Sequence, residues 1–157
     1  MSAAGHRVRR WLTSTSNRTF IVWPLVLLAL RAATDGGWPA PNWWGLPLLV
    51  WGYGQYFLVG RLRTARGGGG PGLSVPPERL ITDGPYRLCR NPMYLGHLLF
   101  LAGLGVMFSW PGWLLFVAHC VWFDRRVRGD ERHLAALFGE PYEAYLRRVR
   151  RWLPGVG

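Results

Sequence analysis

The residues best suited to chemistry lie in one short segment, in which two arginines precede an asparagine and a proline: Arg87, Arg90, Asn91 and Pro92. Asn followed by Pro is typical of the N-cap and the first position of a helix. Such a helix start offers unpaired backbone N–H groups and the positive end of the helix dipole, and the arginines add charge-assisted hydrogen bonds. The segment therefore predicts a site for a carboxylate or a phosphate. The alternative is a capped membrane helix whose arginines contact only lipid phosphates.

A second charged group follows later in the chain. Of the eight acidic residues, three are Asp124, Asp130 and Glu131, beside a predicted membrane surface where anionic lipids disfavour negative side chains. That position indicates a functional use. Spacing alone favours a simpler interpretation, in which Asp130 caps a helix and the acids pair with neighbouring arginines.

Other kinds of site are excluded by residue type. Cys89 and Cys120 form neither a disulfide framework nor a Cys/His cluster, so we predict no metal site. The glycine-rich run at 67–72 lacks the GxxxxGK[ST] pattern of a phosphate-binding loop. The formal net charge is +11, but the basic residues flank apolar runs instead of lining one face, which argues against nucleic acid.

The elements that position these residues are apolar. The chain has 157 residues, of which 50% are hydrophobic and 17% charged, and its length fits one domain. Four apolar stretches, at 20–30, 43–60, 94–108 and 110–123, predict an all-α integral membrane protein with about four transmembrane helices. Only the second comes near the roughly 20 residues that a crossing needs, so the others require their flanks. The alternative is a soluble helical bundle.

The arginines predict the orientation of these helices. All 19 cationic side chains are arginines, and if the four stretches cross, eighteen lie on one side and only Arg31 on the other. The positive-inside rule then places both termini in the cytoplasm. The lysine-free composition is typical of a GC-rich bacterial genome, so we expect the bacterial inner membrane. Indole rings favour the headgroup level, and tryptophans cluster at the predicted outer ends: Trp38, Trp43, Trp44, Trp110 and Trp113.

The chain divides into three predicted parts: a two-span anchor at 1–60, a flexible cytoplasmic linker at 61–79, and a core at 80–157 that carries both charged groups. At the end of the core, apolar and aromatic residues recur at helical spacing from Tyr142 to Trp152. They predict an amphipathic helix that lies in the membrane interface or closes over the cytoplasmic ends of the spans. We make no prediction of oligomeric state.

Two motifs in the core resemble the isoprenylcysteine carboxyl methyltransferase and phospholipid methyltransferase group of membrane enzymes. They stand on either side of an apolar hairpin, and the resemblance covers about 80–154. The first comprises Gly84-Pro85-Tyr86-Arg87 and Arg90-Asn91-Pro92-Met93-Tyr94-Leu95-Gly96, and the second Asp130-Glu131, Leu134, Phe138-Gly139, Tyr142, Tyr145, Val149, Arg151 and Pro154.

The resemblance implies an enzyme that uses S-adenosylmethionine in a cytoplasm-facing pocket and methylates a lipophilic or small-molecule acceptor reaching it from the bilayer. It makes the core the catalytic part and implies catalytic roles for Asn91 and for Arg126, which aligns with an acceptor-binding arginine. The cofactor positions of the family fall on Glu78, Arg79, Leu80, Ile81, Tyr86, Arg90, Asn91, Pro92, Met93, Tyr94, and Asp130 or Glu131.

The residues do not identify the acceptor atom, which is oxygen, nitrogen or sulfur. A carboxylate acceptor needs no general base, whereas an amine, phenol or thiol acceptor does. A phospholipid amine and a small thiol are the alternatives to an isoprenylcysteine-like acceptor. A non-catalytic membrane scaffold of the same fold is a further alternative, since many relatives have His where Asn91 stands. We interpret His97 and His119 as structural, although an ionisable residue within a membrane is a functional candidate.

Overall fold

The computed structural model describes residues 13–35, 40–70 and 75–152, together with Arg9, Trp11 and Leu73. These residues form helices joined by turns and irregular segments, and no strand, which confirms the all-α prediction for the described part. The predictions for Trp38 and Pro154 lie outside it. The helices are α1 (Thr15–Asn17), which runs through a π-helical segment (Arg18–Val22) into α2 (Trp23–Asp35), then α3 (Leu46–Gly67), α4 (Pro92–Phe108), α5 (Trp110–Phe138) and α6 (Glu140–Arg148).

Helices α3 and α4 touch along their backbones because glycines face each other. A Cβ atom placed on Gly52 would lie 2.6 Å from the carbonyl oxygen of Gly96 and 2.5 Å from the backbone nitrogen of Phe100. One level further along, a Cβ on Gly103 would lie 2.9 Å from the carbonyl oxygen of Gly45. Small residues at such positions let two helices approach more closely than larger side chains permit.

Helices α4 and α5 form the predicted hairpin. The turn between them is the single residue Ser109, whose φ of 62° reverses the chain. Across the hairpin, Leu101, Leu104, Phe123 and Val127 are almost completely buried and form the centre of the core. The second arm is much longer than the first, because α5 has 29 residues and α4 has 17. The helix that begins as the fourth apolar stretch therefore also carries Asp130 and Glu131.

The flexible linker predicted at 61–79 is wrong at its beginning. Residues 61–67 continue α3, since this part contains no proline and its glycine comes only at the end. The helix stops where Gly68 and Gly69 adopt φ values of 71° and 69°. The chain then folds back, and the backbone N–H groups of Glu78 and Arg79 both donate to the Gly67 carbonyl, at 2.7 and 2.9 Å. The division of the chain into anchor, linker and core stays a prediction.

The helix predicted from Tyr142 to Trp152 is shorter than expected. Helix α6 ends at Arg148, and Val149 has the extended angles φ −119° and ψ 132°. The residues after it are held in this extended form by other parts of the chain, beginning with the Arg150 carbonyl, which accepts from the Arg90 backbone N–H at 2.9 Å. Tyr142 and Tyr145 are buried as the helical spacing predicted.

Among the residues that the structure describes, no helix is both long enough and apolar enough to cross a membrane.

The glycine contacts predict a sharp difference between two neighbouring positions of α3. Gly52→Ala places a methyl group on the backbone of α4 and should lower the stability by about 1–3 kcal/mol, despite the better helix propensity of alanine. Gly54→Ala, at a position with nothing within 4 Å of the new Cβ, should be neutral or raise it by up to about 1 kcal/mol. Thermal unfolding of the detergent-purified variants measures both. Equal melting temperatures would contradict the close approach of α3 and α4.

Candidate functional site

A cavity of about 290 Å³ lies where the C-terminal end of α3, the start of α4, the far part of α5 and helix α6 meet. The segment that contains Leu73, residues 75–77, Leu80 and Ile81 covers one side of it. The predicted catalytic and cofactor residues all line this cavity except Glu78 and Arg79, and Arg87, which was predicted beside the helix start, is exposed and does not line it. A further part of the wall was not predicted from the sequence and is formed by Arg63, Leu73, Val75, Pro76, Pro77, His133, Leu134, Tyr142 and Tyr145.

Glu78 and Arg79 belong to the covering segment but do not line the cavity. The Glu78 carboxylate accepts from the backbone N–H of Gly69 at 3.2 Å, and both residues are exposed. Together with the backbone bonds to Gly67, this contact fixes the segment that carries Leu80 and Ile81 into the wall. The two residues therefore support the cavity from outside.

The start of α4 forms one wall. Asn91 occupies the N-cap position and Pro92 the first helical position, as expected, and the Asn91 carbonyl accepts the first helical hydrogen bond from Leu95 at 3.0 Å. The expected side-chain cap is absent, because the Asn91 amide donates instead to the Arg151 carbonyl at 3.4 Å. Met93 and Tyr94, in the first turn, also line the cavity, where N–H groups have no partner within the helix.

Glu131 is a buried carboxylate between two guanidinium groups. Its Oε2 accepts from Nη2 of Arg151 at 2.7 Å, and its Oε1 lies 3.1 Å from Nε of Arg90. Only 9% of the Glu131 side chain is exposed, so this negative charge is compensated within the protein. In return, the hydrogen bond from Arg151 to Glu131 raises the pKa of the guanidinium. The cluster joins the start of α4, the far part of α5 and the chain after α6.

Asp130 has a different environment. Its Oδ2 accepts from the hydroxyl of Tyr94 at 2.7 Å, and that hydroxyl accepts from Nε of Arg126 at 2.8 Å. The direct distance from Arg126 Nε to Asp130 Oδ2 is 4.0 Å, and 42% of the Asp130 side chain is exposed. Tyr94 therefore links the arginine to an acid that retains free access to the cavity.

Three tyrosines complete the wall as neutral groups. The hydroxyl of Tyr145 donates to the backbone carbonyl of Tyr86 at 2.8 Å. Burial raises the pKa of Tyr86 to about 12, and burial also raises the pKa values of Tyr142 and Tyr145. At neutral pH these side chains are rings with protonated hydroxyls. Burial likewise raises the pKa of the nearby Cys89 thiol, so Cys89 is a poor nucleophile.

Two arginines at or beside the cavity were missed for different reasons. Arg63 is buried in the wall and donates to the Val75 carbonyl, but the sequence placed it in a linker. A prediction that extended this helix beyond residue 60 would have placed Arg63 on α3. Arg151 was noted only as a motif residue, and no spacing rule predicts that an extended tail returns it to Glu131. Within the described residues, no group of three or more His, Cys, Asp or Glu side chains is arranged to hold a metal.

The buried ion pair predicts that Arg151 contributes more to stability than an exposed arginine does. Arg151→Ala leaves Glu131 with one guanidinium and should lower the free energy of unfolding by about 1–3 kcal/mol. Arg147→Ala removes an exposed pair with Glu140 and should change it by less than about 1 kcal/mol. Chemical denaturation of the two variants compares them. Equal stabilities would contradict the compensated Glu131 carboxylate.

Several known proteins are similar to about half of the chain. The probable protein-S-isoprenylcysteine O-methyltransferase of Oryza sativa subsp. indica is 37% identical over 81 residues, which are 50% of this chain and 42% of the relative. Protein-S-isoprenylcysteine O-methyltransferase B of Arabidopsis thaliana is 35% identical over 81 residues, which are 50% of this chain and 41% of that relative. The cobalt-zinc-cadmium resistance protein CzcN of Cupriavidus metallidurans is 36% identical over 77 residues, which are 48% of this chain and 35% of that relative.

The matched part thus spans about two fifths or less of these relatives. No solved structure matches the chain. The model of the phospholipid methyltransferase family matches residues 42–141, which include α3, α4, α5 and most of the cavity wall. Because this match covers well over half of the chain, the protein belongs to the phospholipid methyltransferase family.

Proposed function

We propose that the protein is an S-adenosylmethionine-dependent methyltransferase that acts on a lipophilic or membrane-associated acceptor. The observation that carries the proposal is the convergence of the α4 start, Arg90 and Asp130 on one cavity inside the family match. A helix start suits a carboxylate, and an exposed acid suits an ammonium group or ribose hydroxyls. In that cofactor the carboxylate and the ammonium stand together at the methionine end, and the hydroxyls stand on the central ribose.

The cavity also fits the rest of the cofactor in size and chemistry. Its volume of about 290 Å³ is near the lower end of the ~300–1,000 Å³ typical of ligand pockets. Leu80, Ile81 and Tyr86 offer an apolar and aromatic surface for a purine ring, and neutral tyrosine rings tolerate a nearby cation. When bound there, S-adenosylmethionine supplies a methyl group activated by a sulfonium sulfur.

Asp130 is the acid that we assign to the cofactor. The neighbouring Glu131 already forms ion pairs with two guanidinium groups, so its negative charge would attract a further cation only weakly. Asp130 receives one hydroxyl, from Tyr94, and is the more exposed of the two. Glu131 then acts through Arg90, which it holds beside the helix start. This assignment decides between two acids that the sequence could not separate.

The protein's contribution to the reaction is mainly positioning. Fixed geometry between two reactants is worth on the order of 7–11 kcal/mol of an activation barrier. An apolar wall excludes water, which favours the attack of an anionic or neutral acceptor on a cation. Arg126 holds an anionic acceptor in this proposal, and its bond to Tyr94 keeps it on the same side of the cavity as Asp130.

We also propose that α2 to α5 lie in a bilayer, with the cavity and both termini on the cytoplasmic side of a bacterial inner membrane. Large apolar side chains are exposed along these helices, among them Leu25, Val50, Trp51, Leu114 and Val117. Continuous exposed apolar surface of this kind marks contact with a membrane or partner. Exposed tryptophans stand at the end opposite the cavity: Trp43, Trp44 and Trp110.

Cofactor binding tests the proposal without knowledge of the acceptor. We expect isothermal titration of the detergent-purified protein with S-adenosylhomocysteine to show micromolar binding. Asp130→Asn should weaken it at least tenfold, about 1.4 kcal/mol, while Glu143→Gln on the exposed face of α6 should leave it unchanged. Absence of binding by the folded protein would refute the proposed function. Unchanged binding by Asp130→Asn would refute only the assignment of the acid.

The acceptor side makes a separate prediction. Arg126→Ala should raise the KM of an anionic acceptor at least tenfold, because a charge-assisted hydrogen bond is lost. The affinity for S-adenosylhomocysteine should stay within about threefold of the original value. Steady-state kinetics over a panel of lipid, quinone and thiol acceptors, combined with the titration, separates the two effects. If Arg126→Ala weakened the binding of the acceptor and of S-adenosylhomocysteine equally, Arg126 would be assigned to the cofactor instead.

A further inference from the structure

A histidine away from the first cavity has a buried nitrogen that has no hydrogen-bond partner in the described part of the protein. His97 lies in the second turn of α4 and has no exposed surface. Its Nδ1 is 3.0 Å from the carbonyl oxygen of Met93, and because a carbonyl only accepts, Nδ1 carries the proton. Nε2 therefore presents a lone pair, and it has no hydrogen-bond partner among the described residues. Native proteins rarely bury such a group without a partner.

Two further polar atoms without a partner lie on the same helix interface. They are Oγ1 of Thr19 and Nε1 of Trp23, one turn apart on the segment that packs against α4 and α5. The ring of Phe20, between them, lies 4.7 Å from the ring of His97, and the Trp23 ring lies 5.9 Å from that of His119. The interface thus offers one acceptor, one N–H donor and one hydroxyl. Part of the segment is π-helical, a conformation that occurs frequently at functional sites.

A second cavity, of about 520 Å³, opens beside this interface. Phe20, Tyr56 and Phe100 form its inner wall, and Leu49 and Val50 line its apolar side. The rings of Phe20 and Tyr56 each lie 4.7 Å from the His97 ring, so His97 stands directly behind this wall. The cavity shares no lining residue with the cofactor cavity.

We propose that this second cavity binds a phenol or quinol that carries a hydrocarbon chain. The ligand hydroxyl donates to Nε2 of His97. The ring lies among Phe20, Tyr56 and Phe100, and the chain follows Leu49 and Val50. Since His97 is fully buried, the Phe20 ring turns aside to admit the hydroxyl. The proposal requires no methyl transfer.

The chemistry of the site selects this class of ligand. A lone pair accepts a proton donor and repels a carboxylate, so an anion is disfavoured at Nε2. No acidic residue lines the second cavity, so nothing there attracts a cation. Aromatic walls favour a ring over a plain alkyl alcohol, because rings pair in tilted and edge-to-face contacts. A neutral aromatic alcohol meets all three conditions.

A matched pair of probes tests the proposal: decylhydroquinone and its dimethyl ether, which has the same ring and chain but no proton to donate. We expect the hydroquinone to bind the detergent-purified full chain at least tenfold more tightly than the ether, measured by native mass spectrometry under reducing conditions. His97→Leu should remove this difference. His97→Gln, whose amide oxygen accepts a hydrogen bond, should retain part of it.

Glu143→Gln, at an exposed residue of α6 that lines neither cavity, is the control and should leave the preference for the hydroquinone unchanged. Thermal unfolding verifies that each variant is folded. Equal affinities of the two probes for the original protein would overturn the proposal, as would an undiminished preference in His97→Leu. Titration with S-adenosylhomocysteine in parallel reports on the other cavity, so a failure here is distinguishable from a failure of the proposed function.

Discussion

The backbone contact between α3 and α4 is the constraint on which the rest of the structure depends. Facing glycines remove the side chains that would keep the two helices apart, and the Gln55 amide adds a hydrogen bond to the Pro92 carbonyl at 2.9 Å. This fixes the end of α3 relative to the start of α4. Since Arg63 stands on the first and Asn91 next to the second, the packing of α3 against α4 helps to set the width of the cavity between them.

Ion pairs then connect parts of the chain that apolar packing alone would leave unconnected. Glu131 draws Arg90 and Arg151 together, so one carboxylate connects α4, α5 and the extended tail. The tail in turn donates a tryptophan N–H to Asp124, from Trp152 at 3.2 Å. With these acids occupied, Asp130 is the carboxylate that remains available in the wall. A chain with few acids thus uses most of those near the cavity for structure and keeps one accessible.

The sequence predicted the helices, the hairpin and most of the cavity wall because those depend on local patterns. Apolar runs mark helices, and Asn91-Pro92 marks a helix start. It missed the end of α3 because arginines at the end of a helix resemble a solvated linker. It also placed the end of α6 too late, because a backbone hydrogen bond from Arg90 to Arg150 overrules the spacing of Val149 and Trp152. Such long-range bonds, like the tail contact that draws Asn91 away from its cap, leave no signal in a single sequence.

The unequal arms of the hairpin have a consequence for how two dissimilar reactants meet. Helix α5 exceeds α4 by 12 residues, about 18 Å of helix, and Asp130 and Glu131 stand on this overhang. With the helices placed as proposed, the overhang projects beyond the hydrocarbon while the base of the hairpin stays within it. The protein then works at a phase boundary, where a water-soluble compound and an oil-soluble one are brought together and neither has to dissolve in the wrong medium.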